Sequence, residues 1–193
     1  MPTCGISKGI GIVCDKILVP GTKDRLILIR YEEIVSTTPD AANKKIISSI
    51  TRKSTSKAYA FDGQNNSNIA RAKFSRSKYY PAYAHEVDFV AFDLSPDALL
   101  TLESLNLDRV VAVYEDNNKF FRICGLNAGL RTSANDSDTE NADTGGGHVI
   151  QLSSAQEKGY PEYLAVYTGT APNQVYDYAA SKALFEGLLL AAV

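Results

Sequence analysis

Residues 69–92 constrain the fold most, because two segments of period-two alternation flank Lys78-Tyr79-Tyr80-Pro81 and their faces match across a hairpin. With Ser77 opposite Ala82, Lys73 faces Glu86 and Arg71 faces Asp88. On the other face the same register sets Phe74 opposite His85, Ala72 opposite Val87 and Ala70 opposite Phe89. One register therefore produces one charged face and one apolar face. Each opposite-charge pair contributes only about 0.2–1 kcal/mol, so these pairs specify register more than they add stability.

Further strands are expected over residues 10–14, 25–31, 45–51, 57–62, 109–114, 119–124, 148–153 and 162–168. Val110-Val111-Ala112-Val113 is apolar on both strand faces, as in a central strand covered on each side, and residues 115–118 turn it back. Ser95-Pro96-Asp97 predicts a helix start: Ser caps free amides, Pro suits the first helical position, and Asp suits the positive end of the dipole. Leu99, Leu102 and Leu105 continue that helix. Residues 176–192 place Tyr178, Phe185, Leu188, Leu189 and Ala192 on one helical stripe, weakened by Gly187, that must dock on this domain or on a neighbour. Residues 133–147 form a polar stretch that reads as a long exposed loop.

The pattern predicts a single domain over residues 1–193. Its fold is expected to be mainly β, an antiparallel β-sandwich or partial barrel with one short flanking helix and a C-terminal helix. A 193-residue chain that is 45% hydrophobic and 22% charged has enough apolar material for one core. Its 20 basic and 22 acidic residues leave a formal charge of −2, so no overall basic field grips nucleic acid, and any contact with DNA is expected to be loose.

The first residues hold no basic segment leading into an apolar one, so the expectation is no cleaved secretory leader and folding in a cytoplasm. The apolar run at residues 183–193 is interrupted by Glu186 and Gly187 and falls short of the ~20 residues that span a bilayer, so no membrane partner is expected. Cys4, Cys14 and Cys124 form no Cys-x-x-Cys pair, and His85 and His148 are the only histidines. That set favours reduced, small buried thiols over a zinc site.

Three strings resemble the short-chain dehydrogenase family: Thr3-Cys-Gly-Ile-Ser-Lys-Gly-Ile-Gly11, Asn127-Ala128-Gly129 and Tyr178-Ala-Ala-Ser-Lys182. In that family Tyr178 would be the acid/base, and Lys182 would lower its pKa and hold the cofactor ribose. The context argues otherwise, because a phosphate-binding loop needs a preceding strand and a following crossover helix, and the βαβ rhythm is missing from residues 45–124. Neither histidine adjoins a nucleophile motif. Asp136, Asp138, Glu140 and Asp143 resemble a calcium loop, but Asn141 stands where the turn glycine belongs and Gly147 where the final glutamate belongs, leaving a solvated acidic loop. No catalytic, cofactor-binding or metal site is expected, and the chain reads as a non-enzyme.

Several features in order resemble the tail tube, or major tail, proteins of tailed bacteriophages, especially those of Bacteroidetes-type hosts. These are Cys4-Gly5-Ile6 with Gly9 and Cys14-Asp15, the Gly21-Thr22-Lys23 turn, residues 26–34 ending Tyr31-Glu32-Glu33-Ile34, and His85-Glu86-Val87-Asp88-Phe89 leading into Ser95-Pro96. Arg109-Val110-Val111-Ala112, residues 125–130 and residues 146–152 complete the series, which covers about the first 165 residues. The resemblance implies a virion structural protein made in the host bacterial cytoplasm, whose copies form rings, commonly hexamers, stacked around a channel for the genome. Its implied partners are itself, other tail or connector proteins, and genomic DNA only as loosely held channel content. Residues 69–92 would then contribute to the ring or channel wall, and the N-terminal arm and acidic loop would contact adjacent rings. A phage connector or ring protein of different symmetry and the dehydrogenase-like oxidoreductase are the alternatives.

Overall fold

The computed structural model describes residues 18–64, 67–76, 81–137, 140, 144, 146–169 and 174–189. Strand β1 (Thr22–Arg30) carries Leu26, Ile27, Leu28 and Ile29 in succession, and all four are buried. Alternation sends Leu26 and Leu28 into one core and Ile27 and Ile29 into another, so this strand must be covered on both sides. Each such side chain contributes about 1.5–3 kcal/mol on burial, enough to make β1 the organising strand of its sheet.

The chain continues through β2 (Ile34–Pro39), β3 (Ile46–Arg52), β4 (Ala58–Asp62), β5 (Ile69–Arg76), β6 (Pro81–Ala91) and helix α1 (Pro96–Leu107). Then follow β7 (Val110–Asp116), β8 (Phe121–Cys124), β9 (Arg131–Ser137), β10 (His148–Glu157), β11 (Glu162–Leu164), β12 (Val166–Thr168), β13 (Val175–Asp177) and helix α2 (Tyr178–Gly187). A seven-stranded sheet has the order β2-β3-β11-β8-β7-β1-β4, a four-stranded sheet the order β5-β6-β10-β9, and β12 with β13 makes a separate ribbon. The two larger sheets enclose one core, in which Leu26, Leu28 and Ala112 meet Val87, Phe89, Ile150 and Leu152, with Leu102 and Leu105 of α1 beside them. Across the seven-stranded sheet, Ile27, Ile29, Val111 and Val113 meet Phe185 and Leu188 of the α2 region. The architecture is thus a β-sandwich with a helix on the outer face of the larger sheet.

Most expected strands form, and β7 is buried throughout, as its two-faced apolar run requires. Helix α1 starts where its signals stand: Pro96 is in the first turn and the Ser95 hydroxyl accepts the Ala98 N–H at 3.3 Å. Helix α2 docks on its own chain, with Phe185 4.9 Å from Phe121 between ring centroids. It begins at Tyr178 because the preceding residues pair as β13 with β12 and the Asp177 carboxylate accepts the Ala180 N–H at 2.9 Å. The expected strand at 10–14 and the helical position Ala192 lie outside the described residues.

Four expectations are corrected. The hairpin pairs Ala72 with His85 and Phe74 with Tyr83, a register two residues away from the one expected. The two-residue shift preserves both faces, and Arg71 still reaches Asp88 and Lys73 still reaches Glu86, as diagonal neighbours instead of opposed pairs. Residues 133–147 are not one loop, since the first five complete β9. The segment 162–168 is divided at Ala165 between two sheets. Finally, the larger sheet is mixed, because β11 runs parallel to β3 while antiparallel to β8.

Candidate assembly surfaces

Among the described residues, the four-stranded sheet is open at both margins: strand β5 pairs only with β6, and β9 only with β10, leaving outward backbone groups along each. All pairings within this sheet are antiparallel, so β5 and β9 run in opposite directions. Its inner face carries Val87, Phe89, Ile150 and Leu152 into the core. By register its outer face carries Arg71 and Lys73 on β5, Glu86 and Asp88 on β6, and Arg131 and Asp136 on β9, a balanced set of charges. Lys73 Nζ lies 2.8 Å from the Glu86 carboxylate, and Arg71 bonds Asp88. Sequence reasoning missed β9 because Arg-Thr-Ser-Ala-Asn-Asp-Ser contains one β-branched residue; partnership with β10, not propensity, makes it a strand.

Two buried polar groups hold this sheet to the loops of the other. His85, fully buried on β6, accepts the Gly125 N–H at Nδ1 (3.2 Å), while its Nε2 contacts the Gly159 carbonyl at 2.8 Å. A donor to Nδ1 requires the neutral tautomer with the proton on Nε2, which donates to Gly159. The Glu157 carboxylate accepts the N–H groups of Asn127 (3.0 Å) and Ala128 (3.1 Å) and the Ser154 hydroxyl (2.8 Å). The Asn127-Ala128-Gly129 string is therefore a clamped turn. Gly125 (φ +80°) and Gly129 (φ +75°) occupy the left-handed region at its two ends, and a Cβ on Gly125 would lie 2.7 Å from Leu130.

The Tyr178 hydroxyl donates to Glu115 Oε1 at 2.9 Å and its ring lies against Phe121, while Lys182 is exposed on α2. Burial raises the pKa of the Tyr178 phenol, and Glu115 raises it further, the opposite of what an acid/base tyrosine poised by a lysine needs. Burial pushes the Cys124 thiol up to about 12, as suits an inert core residue, and also raises Tyr114 beside it. His148 pairs between Ala91 and Ser137 within the sheet. Asp136 is on β9, Glu140 is exposed, and Asp138 and Asp143 lie outside the described residues, as do Cys4, Cys14 and the segment 3–11. Among the described residues no group of three or more His, Cys, Asp or Glu side chains is placed to hold a metal ion, and no helix is long and apolar enough to cross a membrane.

Comparison with protein-family models, curated proteins and solved structures yields no match to this chain.

Proposed function

We propose that the chain is a structural subunit that closes into rings through its four-stranded sheet, as a tail tube subunit of a bacteriophage does. The observation that supports this reading is the pair of oppositely directed edges β5 and β9, unpaired among the described residues, on one sheet whose outer face has balanced charge. Pairing β9 of one copy with β5 of the next is a heterologous contact, and repetition about an axis near the strand direction makes a closed, wholly antiparallel barrel of four strands per copy. Closure removes both edges, the standing hazard of an open sheet. The lining of such a barrel would be Arg71, Lys73 and Arg131 balanced by Glu86, Asp88 and Asp136, many of them already paired. Such a wall neither attracts a polyanion strongly nor blocks it, which suits loosely held DNA in transit. The other expected partners, neighbouring tail or connector proteins, belong to the same proposal.

The test is negative-stain electron microscopy across a concentration series, joined to amide hydrogen exchange of monomer and assembly. Annular particles or tubes, with new protection over residues 69–76 and 131–137 and little change on β2 and β4, are expected. Persistent small particles at every concentration, or assembly that protects β2 and β4 instead, would overturn the proposal. The imaged symmetry separates a stacked tube from a single connector ring.

A further inference from the structure

The two edge strands of the four-stranded sheet differ in charge. On β5, Arg71, Lys73 and Arg76 are exposed, and the strand holds no acidic residue. On β9, Arg131 and Asp136 are exposed, and Asp136 makes no ion pair among the described residues. Arg71 bonds Asp88 through one guanidinium nitrogen. A guanidinium carries five N–H donors in a planar fork, so Arg71 can serve a second carboxylate without leaving the first.

Facing restricts how these two edges can meet between copies. Arg71, Lys73 and Ser75 lie on the outer face with Glu86, and Ala134 and Asp136 lie on the same face opposite Gln151 and Val149. The register of β9 shifts between Ala134 and Thr132, which turns Thr132 inward opposite Leu152 and returns Arg131 to the outer face. An antiparallel pairing of β9 with β5 that keeps outer residues against outer residues therefore moves only in steps of two.

We propose that β9 of one copy pairs with β5 of the next so that Asp136 stands opposite Arg71, Ala134 opposite Lys73 and Arg131 opposite Ser75. This rests on the ring reading above and specifies the register of its contact. In that register every pair from Ser137–Ala70 to Arg131–Ser75 lies within both strands. One step toward Ile69 sets Arg131 opposite Lys73, two like charges, and carries Ser137 off the end of β5. One step the other way carries Arg131 beyond Arg76, off the opposite end. The inner face agrees with the charges. Phe74, 51% exposed in its own chain, falls opposite Thr132, whose hydroxyl donates to the Leu105 carbonyl at 3.3 Å, so the neighbour's β9 and α1 cover the ring.

The test uses the full chain with Cys4 and Cys14 replaced by Ser and one engineered cysteine on each edge, oxidised under assembly conditions. A134C/K73C is expected to give a ladder of disulfide-linked oligomers at least about fivefold faster than A134C/R71C or A134C/S75C, because opposed residues lie closer than diagonal ones. In parallel, D136R and R71E are each expected to raise the concentration at which rings form about tenfold or more, and D136R/R71E to return it to within about threefold of the unaltered chain. Urea denaturation checks that each variant folds. Ladders fastest in a shifted pair, ladders absent from all three pairs while rings form, or a double variant no better than the single ones overturn the register and leave the ring reading to its own test. An unaltered chain that makes no rings at any concentration overturns both.

Discussion

The Nδ1 atom of His85 accepts the backbone N–H of Gly125 at 3.2 Å, tying the centre of β6 to the turn that follows β8. Through this bond the four-stranded sheet is registered on the seven-stranded one at a polar point inside an apolar core. Replacing His85 by Leu preserves volume but strands the Gly125 N–H in a buried position. The expected cost is about 1–3 kcal/mol from that group alone, with the Gly159 carbonyl adding to it. Urea denaturation of H85L measures it, and an unchanged midpoint would show that water or backbone movement replaces the bond.

The Glu157 carboxylate does the same work at the Asn127–Ala128 turn, but with a charged acceptor. E157Q keeps one carbonyl oxygen and should lose less stability than E157A, which frees both N–H groups and removes the partner of Ser154. The expected order is wild type, then E157Q, then E157A, spanning about 2–4 kcal/mol overall. Equal losses in the two variants would mean that packing, not hydrogen bonding, carries the effect.

Phe185 is 2% exposed between α2 and the sheet, in contact with Phe121. Its truncation to Ala removes most of the contact that docks the C-terminal helix, at an expected cost of about 3–5 kcal/mol. Lys182→Ala, on the exposed face of the same helix, should change stability by less than about 0.5 kcal/mol. Differential scanning calorimetry on the pair distinguishes a helix integral to the domain from one merely appended to it.

Burial holds the Cys124 thiol at about 12, against an ordinary value of 9.0, and the Tyr176 phenol at about 12, against 10.0. Between these limits the unfolded chain loses protons that the folded chain retains, so stability is full below about pH 9 and falls as pH rises toward 12. For Cys124 the limiting slope is about 1.4 kcal/mol per pH unit. Denaturation midpoints should be flat from pH 7 to 8.5 and decline above 9. C124A should lower the slope between pH 9 and 10, before Tyr176 contributes, and the same decline in C124A would assign the effect to other groups.

Residues 133–147 must be divided to be tested. Replacing only residues 138–145 by a short turn leaves β9 and its pairing with β10 intact, so the monomer should unfold at nearly the same urea concentration. Deleting the whole of 133–147 removes most of β9 and should destabilise the four-stranded sheet. If ring stacking is lost with the short replacement while folding survives, the acidic segment acts between rings.

Local pattern was sufficient wherever one face or both had to be apolar. Alternation located β5 and β6, the two-faced apolar run located the buried β7, and Ser95-Pro96 located the start of α1, because burial and capping are dictated by neighbouring residues in the chain. The candidate ring surface was legible only in part: the charged face of the hairpin was readable, its exact partners were not. A shift of two residues keeps every side chain on its own face, so alternation cannot choose between Arg71 opposite Asp88 and Arg71 diagonal to it. Tertiary packing made that choice, with Phe74 on Tyr83, Tyr83 on Tyr160, and His85 between Gly125 and Gly159. The second edge strand among the described residues, β9, was likewise decided by its partner, since a polar segment becomes a strand when β10 supplies the hydrogen bonds and α1 the cover, through bonds such as Thr132 Oγ1 to the Leu105 carbonyl. Sequence alone determined which residues must be buried and which segments alternate; which edges remain open, and what they present, followed from long-range pairing that no local pattern encodes.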